Sequence, residues 1–147
     1  MKKRGFGVIK KKSDNSNASK SNALVVPNTI FFDDKLAILE AIVLYLKEVK
    51  ELNYKEIGDA LERDQRNIWT VYSRVRKKQP KHVSEKPSLL IPVSILKDRL
   101  LSGFEVIVEY LKEEKNLSFH EIGSLLHRDE RNIWTVYHRA KVKRGKK

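Results

Sequence analysis

The side chains with the clearest capacity for chemistry lie in and beside two copies of the hexapeptide NIWTVY, at 67–72 and 132–137. An arginine precedes each copy, and its planar guanidinium can donate paired hydrogen bonds to phosphate oxygens or to the edge of a guanine base. The tryptophan and threonine of each copy add a stacking surface and a hydroxyl. This set is suited to recognising a polar ligand through hydrogen bonds, and it pairs no nucleophile with a general base.

The rest of the chain also lacks the residue patterns of an enzyme or a metalloprotein. It has no cysteine, so disulfides and thiolate metal sites are excluded. The histidines, at positions 82, 120, 127 and 138, have no second ligand at a metal-binding spacing. We therefore expect no enzyme, metal site, cofactor or small-molecule ligand.

The charge balance points to a polyanionic partner. Lysine and arginine number 31 against 19 aspartate and glutamate residues, which gives a formal net charge of +12. Such an excess is typical of proteins that bind nucleic acid or an anionic membrane surface. The chain has no apolar run near the roughly 20 residues that cross a bilayer, and its basic start lacks the apolar core of a secretory signal. We expect a cytoplasmic, nucleoid-associated protein with no membrane partner.

The two hexapeptides belong to a duplication that covers most of the chain. Trp69 and Trp134 lie 65 positions apart, and the same offset aligns two long segments without a gap, with about half of their positions identical. Each repeat has its own apolar stripes, so each is expected to fold as a separate unit. The predicted organisation is a basic, disordered arm at 1–25, repeat 1 at 26–78, a linker at 79–90, repeat 2 at 91–143 and a basic tail at 144–147.

Each repeat is predicted to form three helices. The apolar stripe of the first helix, at about 38–51, comprises Leu39, Ile42, Val43, Leu46 and Val49. The second helix begins at a capping box in both repeats, Asn53 with Glu56 and Ser118 with Glu121. These signals place a short helix directly before each hexapeptide segment.

The third helix of each repeat has an apolar face and a basic face. It follows an aspartate suited to cap it, Asp64 or Asp129. On a helical wheel the inward positions of the first copy are Ile68, Val71, Tyr72 and Val75, and the outward positions are Arg66, Thr70, Ser73 and Lys77. Charge is also divided between the helices. The segment 64–78, which covers the third helix, holds one acid and five bases, whereas 33–51, which covers the first helix, holds five acids and three bases. The pattern predicts an all-α fold of two tandem three-helix helix-turn-helix units joined by a short linker.

The second and third helices resemble a known DNA-binding module. Leu52–Leu61 followed by Asp64–Arg74, and likewise Leu117–Arg139, resemble the helix-turn-helix of region 4 of bacterial sigma-70-like sigma factors. No sigma region 2 is recognisable, so the resemblance implies a regulator that uses a sigma-like module. It places the family's base-reading positions at Gln65, Arg66, Trp69, Thr70, Glu130, Arg131, Trp134 and Thr135.

The turn between these two helices departs from that family in both repeats. Glu62 and His127 stand where the family usually has glycine, and Arg63 and Arg128 replace a small buried residue. We therefore expect a different turn geometry, with Arg63 paired to a nearby acid.

The predicted DNA-binding side chains fall into two groups. Base reading is assigned above all to Arg66 and Arg131, and phosphate binding to basic residues at the end of each third helix, namely Arg76, Lys77, Lys78, Lys141, Lys143 and Arg144. The full predicted set is Gln65, Arg66, Trp69, Thr70, Ser73, Arg76, Lys77, Glu130, Arg131, Trp134, Thr135, His138 and Lys141.

Two side-chain types in this region have competing interpretations. The tryptophans could contact or stack on a base, and packing against the first helix is equally compatible with their positions. For Arg74 and Arg139 we favour structural pairs with Glu56 and Glu121 over contacts to phosphate.

The sequence thus predicts a sequence-specific binder of double-stranded DNA that regulates transcription through two related half-sites. An extended linker of about 12 residues spans at most roughly 40 Å. That length reaches successive major grooves about 34 Å apart, in direct or inverted orientation. The alternatives are an adaptor that binds RNA or RNA polymerase, and a non-specific nucleoid-type DNA binder.

Overall fold

A computed structural model describes residues 24–80 and 86–145. The predicted arm lies almost wholly outside these residues, as does part of the predicted linker. Val25, assigned to the arm, and Leu90, assigned to the linker, instead belong to short strands. Within the described residues, none of the helices has the length and apolar character needed to cross a membrane.

The described residues are mostly helical, as expected, but they also form a small sheet. In the first half, strand β1 and a 3₁₀ helix precede helices α1, α2 and α3, and the second half repeats this order. The first-half bounds are Val25–Pro27, Asn28–Phe32, Ile38–Glu48, Tyr54–Leu61 and Gln65–Lys77. The second-half bounds are Leu90–Pro92 (β2), Val93–Lys97 (3₁₀), Gly103–Glu113 (α4), Phe119–Leu126 (α5) and Glu130–Gly145 (α6).

Capping side chains set where the helices begin. The Asn53 side chain accepts from the Glu56 N–H at 2.8 Å, and the Glu56 carboxylate accepts from the Asn53 N–H at 2.9 Å. The same reciprocal bonds join Ser118 and Glu121, so both predicted boxes are present. The first helix ends at Glu48, earlier than expected, and this leaves Val49 61% exposed rather than in the core.

The turn from the second to the third helix is tight in both halves. Glu62 and His127 adopt left-handed backbone angles, with φ of 55° and 56°, the conformation that glycine accepts most readily. Glu62 and His127 adopt this conformation although neither is glycine, and the expected difference from the turn of the sigma family stays a prediction. A Cβ on Gly58 would lie 2.6 Å from the Arg63 carbonyl oxygen, and one on Gly123 would meet Arg128 at 2.7 Å. The close approach explains glycine at these two helical positions.

The two halves are related by a local two-fold axis. Strands β1 and β2 pair antiparallel with Val26 opposite Ile91, and these are equivalent positions of the duplication. The flanking pairs and backbone hydrogen bonds follow the same symmetry, since the Asn28 N–H donates to the Leu89 carbonyl and the Val93 N–H to the Leu24 carbonyl, both at 3.0 Å. Both halves therefore use the same surface to contact each other. Such an interface is called isologous, and it is the kind found in a two-fold dimer.

Side-chain contacts outside the sheet also join the two halves. The Asn28 amide donates to the Leu125 carbonyl at 2.9 Å, and the Phe32 ring stacks on His127 with centroids 3.4 Å apart. In the opposite direction, Arg99 donates to the Glu62 carbonyl at 2.7 Å. Buried apolar residues of both halves form one hydrophobic cluster. The halves are therefore packed together, and separate folding of the repeats stays a prediction.

Candidate nucleic-acid interface

The third helices α3 and α6 present the same polar face outward. Ile68, Val71 and Val75 of α3 are buried, as are their equivalents in α6, while Tyr72 is half-buried. The predicted inward face is thus confirmed. Exposed residues in the first two turns of the two helices are Gln65, Arg66, Asn67, Trp69, Thr70, Glu130, Arg131, Asn132, Trp134 and Thr135.

Arg66 and Arg131, at the start of the third helices, are highly exposed, and each lies beside the aspartate that caps its helix. Asp64 accepts from the Arg66 N–H at 2.8 Å, which caps the helix, and its carboxylate also lies 3.3 Å from Arg66 Nη2. The hydrogen bond from Arg66 lowers the pKa of Asp64. Asp129 caps Arg131 in the same way. The side chains are 91% and 95% exposed, so both guanidiniums are accessible to a partner.

The tryptophans lie on the surface. Trp69 is 55% exposed and Trp134 is 51% exposed, so the interpretation of core packing is wrong. The Trp134 ring stacks on His138 with centroids 3.9 Å apart, and His138 Nδ1 lies 2.9 Å from the Trp134 carbonyl oxygen. The equivalent of His138 is the half-buried Ser73, which has no ring to stack. The exposed faces of α3 and α6 therefore both carry a tryptophan, but the α6 face has the larger aromatic area.

The threonine hydroxyls bond back to their own helices. Thr70 donates to the Arg66 carbonyl and Thr135 to the Arg131 carbonyl, each at 3.0 Å. These bonds fix the hydroxyl orientation and leave its lone pairs and the methyl group on the exposed surface. The pair can therefore accept a hydrogen bond or contact an apolar group such as the thymine methyl.

The C-terminal half of each third helix is ion-paired to the first helix. The buried Glu40 accepts from Lys78 at 2.7 Å and from Arg74 at 3.0 Å, and Glu105 accepts from Lys143 at 2.8 Å. Burial raises the pKa of Glu40, but the hydrogen bonds from Lys78, the Ala37 N–H and Arg74 outweigh it and leave that pKa lowered. The predicted pairing of Arg74 with Glu56 is wrong, because its carboxylate partner belongs to the first helix.

Further hydrogen bonds and ion pairs join the third helix of each half to its first helix. Tyr72 donates to Glu48 at 2.5 Å, and burial together with this carboxylate raises the pKa of Tyr72 to about 12. Arg76 Nη1 lies 3.1 Å from the same carboxylate, and Lys141 Nζ lies 2.7 Å from Glu113. Arg76 and Lys141 are therefore engaged within the protein, whereas Lys77 is exposed. Their contact with phosphate stays a prediction.

Arg63 and Arg128 lie in the turns between the second and third helices. Their contacts differ from the expectation and from each other. Arg128 donates to the carbonyls of Phe31 at 2.7 Å and Leu36 at 3.2 Å, so it ties α5 to the first half of the chain. Among the described residues, Arg63 Nη1 is buried without a hydrogen-bond partner. No acid pairs with the Arg63 side chain within the described residues, so the expected pairing is wrong. Burial and the nearby charge of Arg99 lower the pKa of Arg63. Nothing in the sequence pattern signalled the role of Arg128.

The described residues hold no group of three or more histidine, aspartate or glutamate side chains placed to bind a metal ion. Comparisons with protein-family models, with curated proteins and with solved structures find no match to this chain. The resemblance to sigma region 4 stays a prediction from the residues quoted above.

Proposed function

We propose that this protein is a sequence-specific binder of double-stranded DNA that regulates transcription at the nucleoid. In this proposal the two halves are helix-turn-helix units, and α3 and α6 are their recognition helices. The single observation that carries it is the division of each third helix into two parts. Its first two turns expose arginine, tryptophan and threonine, and its basic end is held by acids of the first helix.

This division matches what a major-groove reader needs. Helix-turn-helix proteins contact base edges with the N-terminal residues of the recognition helix. The ion pairs anchor the other end of the helix, so the reading side chains are held at a defined position relative to the rest of the unit. Arg66 and Arg131 are assigned to guanine, and Thr70 and Thr135 to thymine methyls. The net charge of +12 supplies the general attraction to the duplex.

Selection from a pool of random duplexes tests the proposal. We expect a defined motif, with binding that weakens steeply as salt rises. Arg66→Ala and Arg131→Ala should each weaken binding by about 1–3 kcal/mol and relax base preference at one half-site. Lys50→Ala and Lys115→Ala are charge-matched controls, since these lysines are exposed where the first helices end, and they should preserve the motif.

Two other outcomes separate the alternatives. Equal affinity for all duplexes, with a strong dependence on salt, would indicate a non-specific nucleoid-type binder. Preference for structured RNA, or retention on RNA polymerase without DNA, would indicate an adaptor. Either result would overturn the proposed function.

A further inference from the structure

The symmetric β1–β2 pairing fixes the relative direction of α3 and α6. The axis passes beside the pair formed by Val26 and Ile91, both fully buried. Each half follows its strand with the same order of elements. A rotation that exchanges the strands therefore exchanges the two third helices as well, so their polar faces are related by a half-turn rather than by a translation.

The interface that holds this orientation is polar as well as apolar. Asn28 is 1% exposed, and its side chain makes three hydrogen bonds. Its Oδ1 accepts from the N–H groups of Ser88 at 2.9 Å and Leu89 at 3.1 Å, and its Nδ2 donates to the Leu125 carbonyl at 2.9 Å. Hydrogen bonds have directional requirements, so this cluster resists both sliding and rotation of one half on the other. The two third helices are held at a fixed separation.

We infer that the target of this protein is an inverted repeat with one permitted spacing, and that its two half-sites differ at the bases facing Gln65 and Glu130. The inference rests on the proposed function. Duplex DNA has two-fold axes perpendicular to its length, so a two-fold reader matches half-sites in inverted orientation. A direct repeat would require the two helices to be related by translation along the duplex.

The difference between the halves follows from the chemistry at the first position of each third helix. Gln65 and Glu130 are equivalent and both exposed. A glutamine can bond to the N6 and N7 atoms of adenine, whereas a glutamate accepts from the N4 amino group of cytosine. The second difference is Ser73 against His138, one turn from Trp69 and Trp134. We expect adenine at the position read by α3 and cytosine at the matching position read by α6.

The orientation is tested with the full chain and duplexes that carry the two selected half-sites. The half-sites are placed as inverted and direct repeats, and the spacing is varied one base pair at a time. Linked sites typically bind about 10²–10⁴-fold more tightly than one site alone. We expect this gain only for the inverted repeat at a single spacing, with at least about 10²-fold weaker binding elsewhere.

The outcomes distinguish the inference from the proposed function. Equal affinity for direct and inverted repeats, or tolerance of several spacings, would overturn the inference and leave DNA recognition intact. Absence of any preferred duplex would overturn the proposed function and the inference with it.

Reciprocal exchanges test the residues that make the half-sites unequal. The double variant Gln65→Glu with Ser73→His gives α3 the side chains of α6, and it should select a perfect palindrome of the cytosine half-site. The reverse pair, Glu130→Gln with His138→Ser, should select a palindrome of the adenine half-site. Circular dichroism spectra like that of the unchanged protein confirm that each variant is folded. Retention of the original unequal site by both variants would show that these positions do not set the difference.

Discussion

The side-chain amide of Asn28 donates a hydrogen bond to the backbone carbonyl of Leu125, 97 positions further along the chain. Both residues lie where the first half of the molecule meets α5 of the second half. Together with the β1–β2 pairing, this bond joins the repeats into a single packed body. The stability of one half therefore depends on the other.

Replacing Asn28 should destabilise the whole molecule. Asn28→Ala leaves the Leu125 carbonyl and the Ser88 and Leu89 N–H groups without this partner. Because each unpaired buried polar group costs ~1–3 kcal/mol, we expect the free energy of unfolding to fall by about 2 kcal/mol or more in a urea titration. Asn132→Ala, on the exposed face of α6, is the control and should change it by less than about 0.5 kcal/mol. Equal effects of the two changes would show that Asn28 is not a joint between the halves.

Neighbouring residues of α6 should separate stability from recognition. Ile133 is fully buried, so Ile133→Ala should lower the free energy of unfolding by about 2–5 kcal/mol. Trp134 is half exposed, and Trp134→Ala should leave thermal stability nearly unchanged while weakening binding to the selected duplex. Thermal melts and binding titrations on both variants measure this. A large loss of stability in the tryptophan variant would place that ring in the core after all.

The close approach at Gly58 should make this position intolerant of any side chain. In Gly58→Ala the new Cβ must move away from the Arg63 carbonyl oxygen, which lies 2.6 Å from its ideal position. We expect a loss of about 1–3 kcal/mol from overpacking. Gly145→Ala is the matched control, because its Cβ meets nothing within 4 Å. Thermal unfolding followed by circular dichroism compares them, and equal melting temperatures would contradict the tight turn.

The buried carboxylates Glu40 and Glu105 should make the protein sensitive to acid. Burial raises the pKa of each, but hydrogen bonds from Lys78 and Lys143 leave it below the ordinary value of 4.5. A carboxylate whose pKa is lowered by folding stabilises the folded state above its ordinary pKa, and this contribution is lost as the pH falls through the folded-state value. We therefore expect the free energy of unfolding to drop as the pH falls below about 4.5.

Neutral substitutions measure this contribution. The double variant Glu40→Gln with Glu105→Gln should be less stable near neutral pH and should show a flatter loss of stability in acid. Glu114→Gln changes an exposed acid at the end of α4 and should keep the acid response of the unchanged protein. Urea titrations between about pH 3 and 7 follow the response. Parallel pH profiles for all three proteins would contradict the role of the two buried carboxylates.

The helices were predictable because their signals are local. Capping boxes, the apolar spacing of the third helices and the aspartate caps all act within a few residues, and the structure places helices at each of them. The small sheet was not predictable, because each strand has only three residues and includes a proline. Val49 was misassigned because the spacing of apolar residues continues past the point where the first helix ends.

The contacts between elements were less accessible from sequence. The duplication revealed two similar units but carried no information on how they pack, so the crossing contacts of Asn28 and Arg128 were missed. The partner of Arg74 was also missed, because Glu40 lies 34 positions away and the two residues meet only after α1 and α3 have packed. The exposed positions Arg66, Thr70 and Lys77 were predicted correctly, because helical periodicity determines them once the buried positions are known. Ser73, which was also placed on the outward face, is half-buried.

Because Val26 meets Ile91 inside one polypeptide, the paired arrangement does not dissociate on dilution. Two separate copies held by the same surface would fall apart below their dissociation constant, and half-occupied targets would then accumulate. Under the proposed function, the fused pair would bind its target without prior association of two chains. Fusion also frees each copy to change alone, since a substitution in a homodimer alters both subunits at once. The difference between Gln65 and Glu130 is of this kind, and identical subunits encoded by a single reading frame could not carry it.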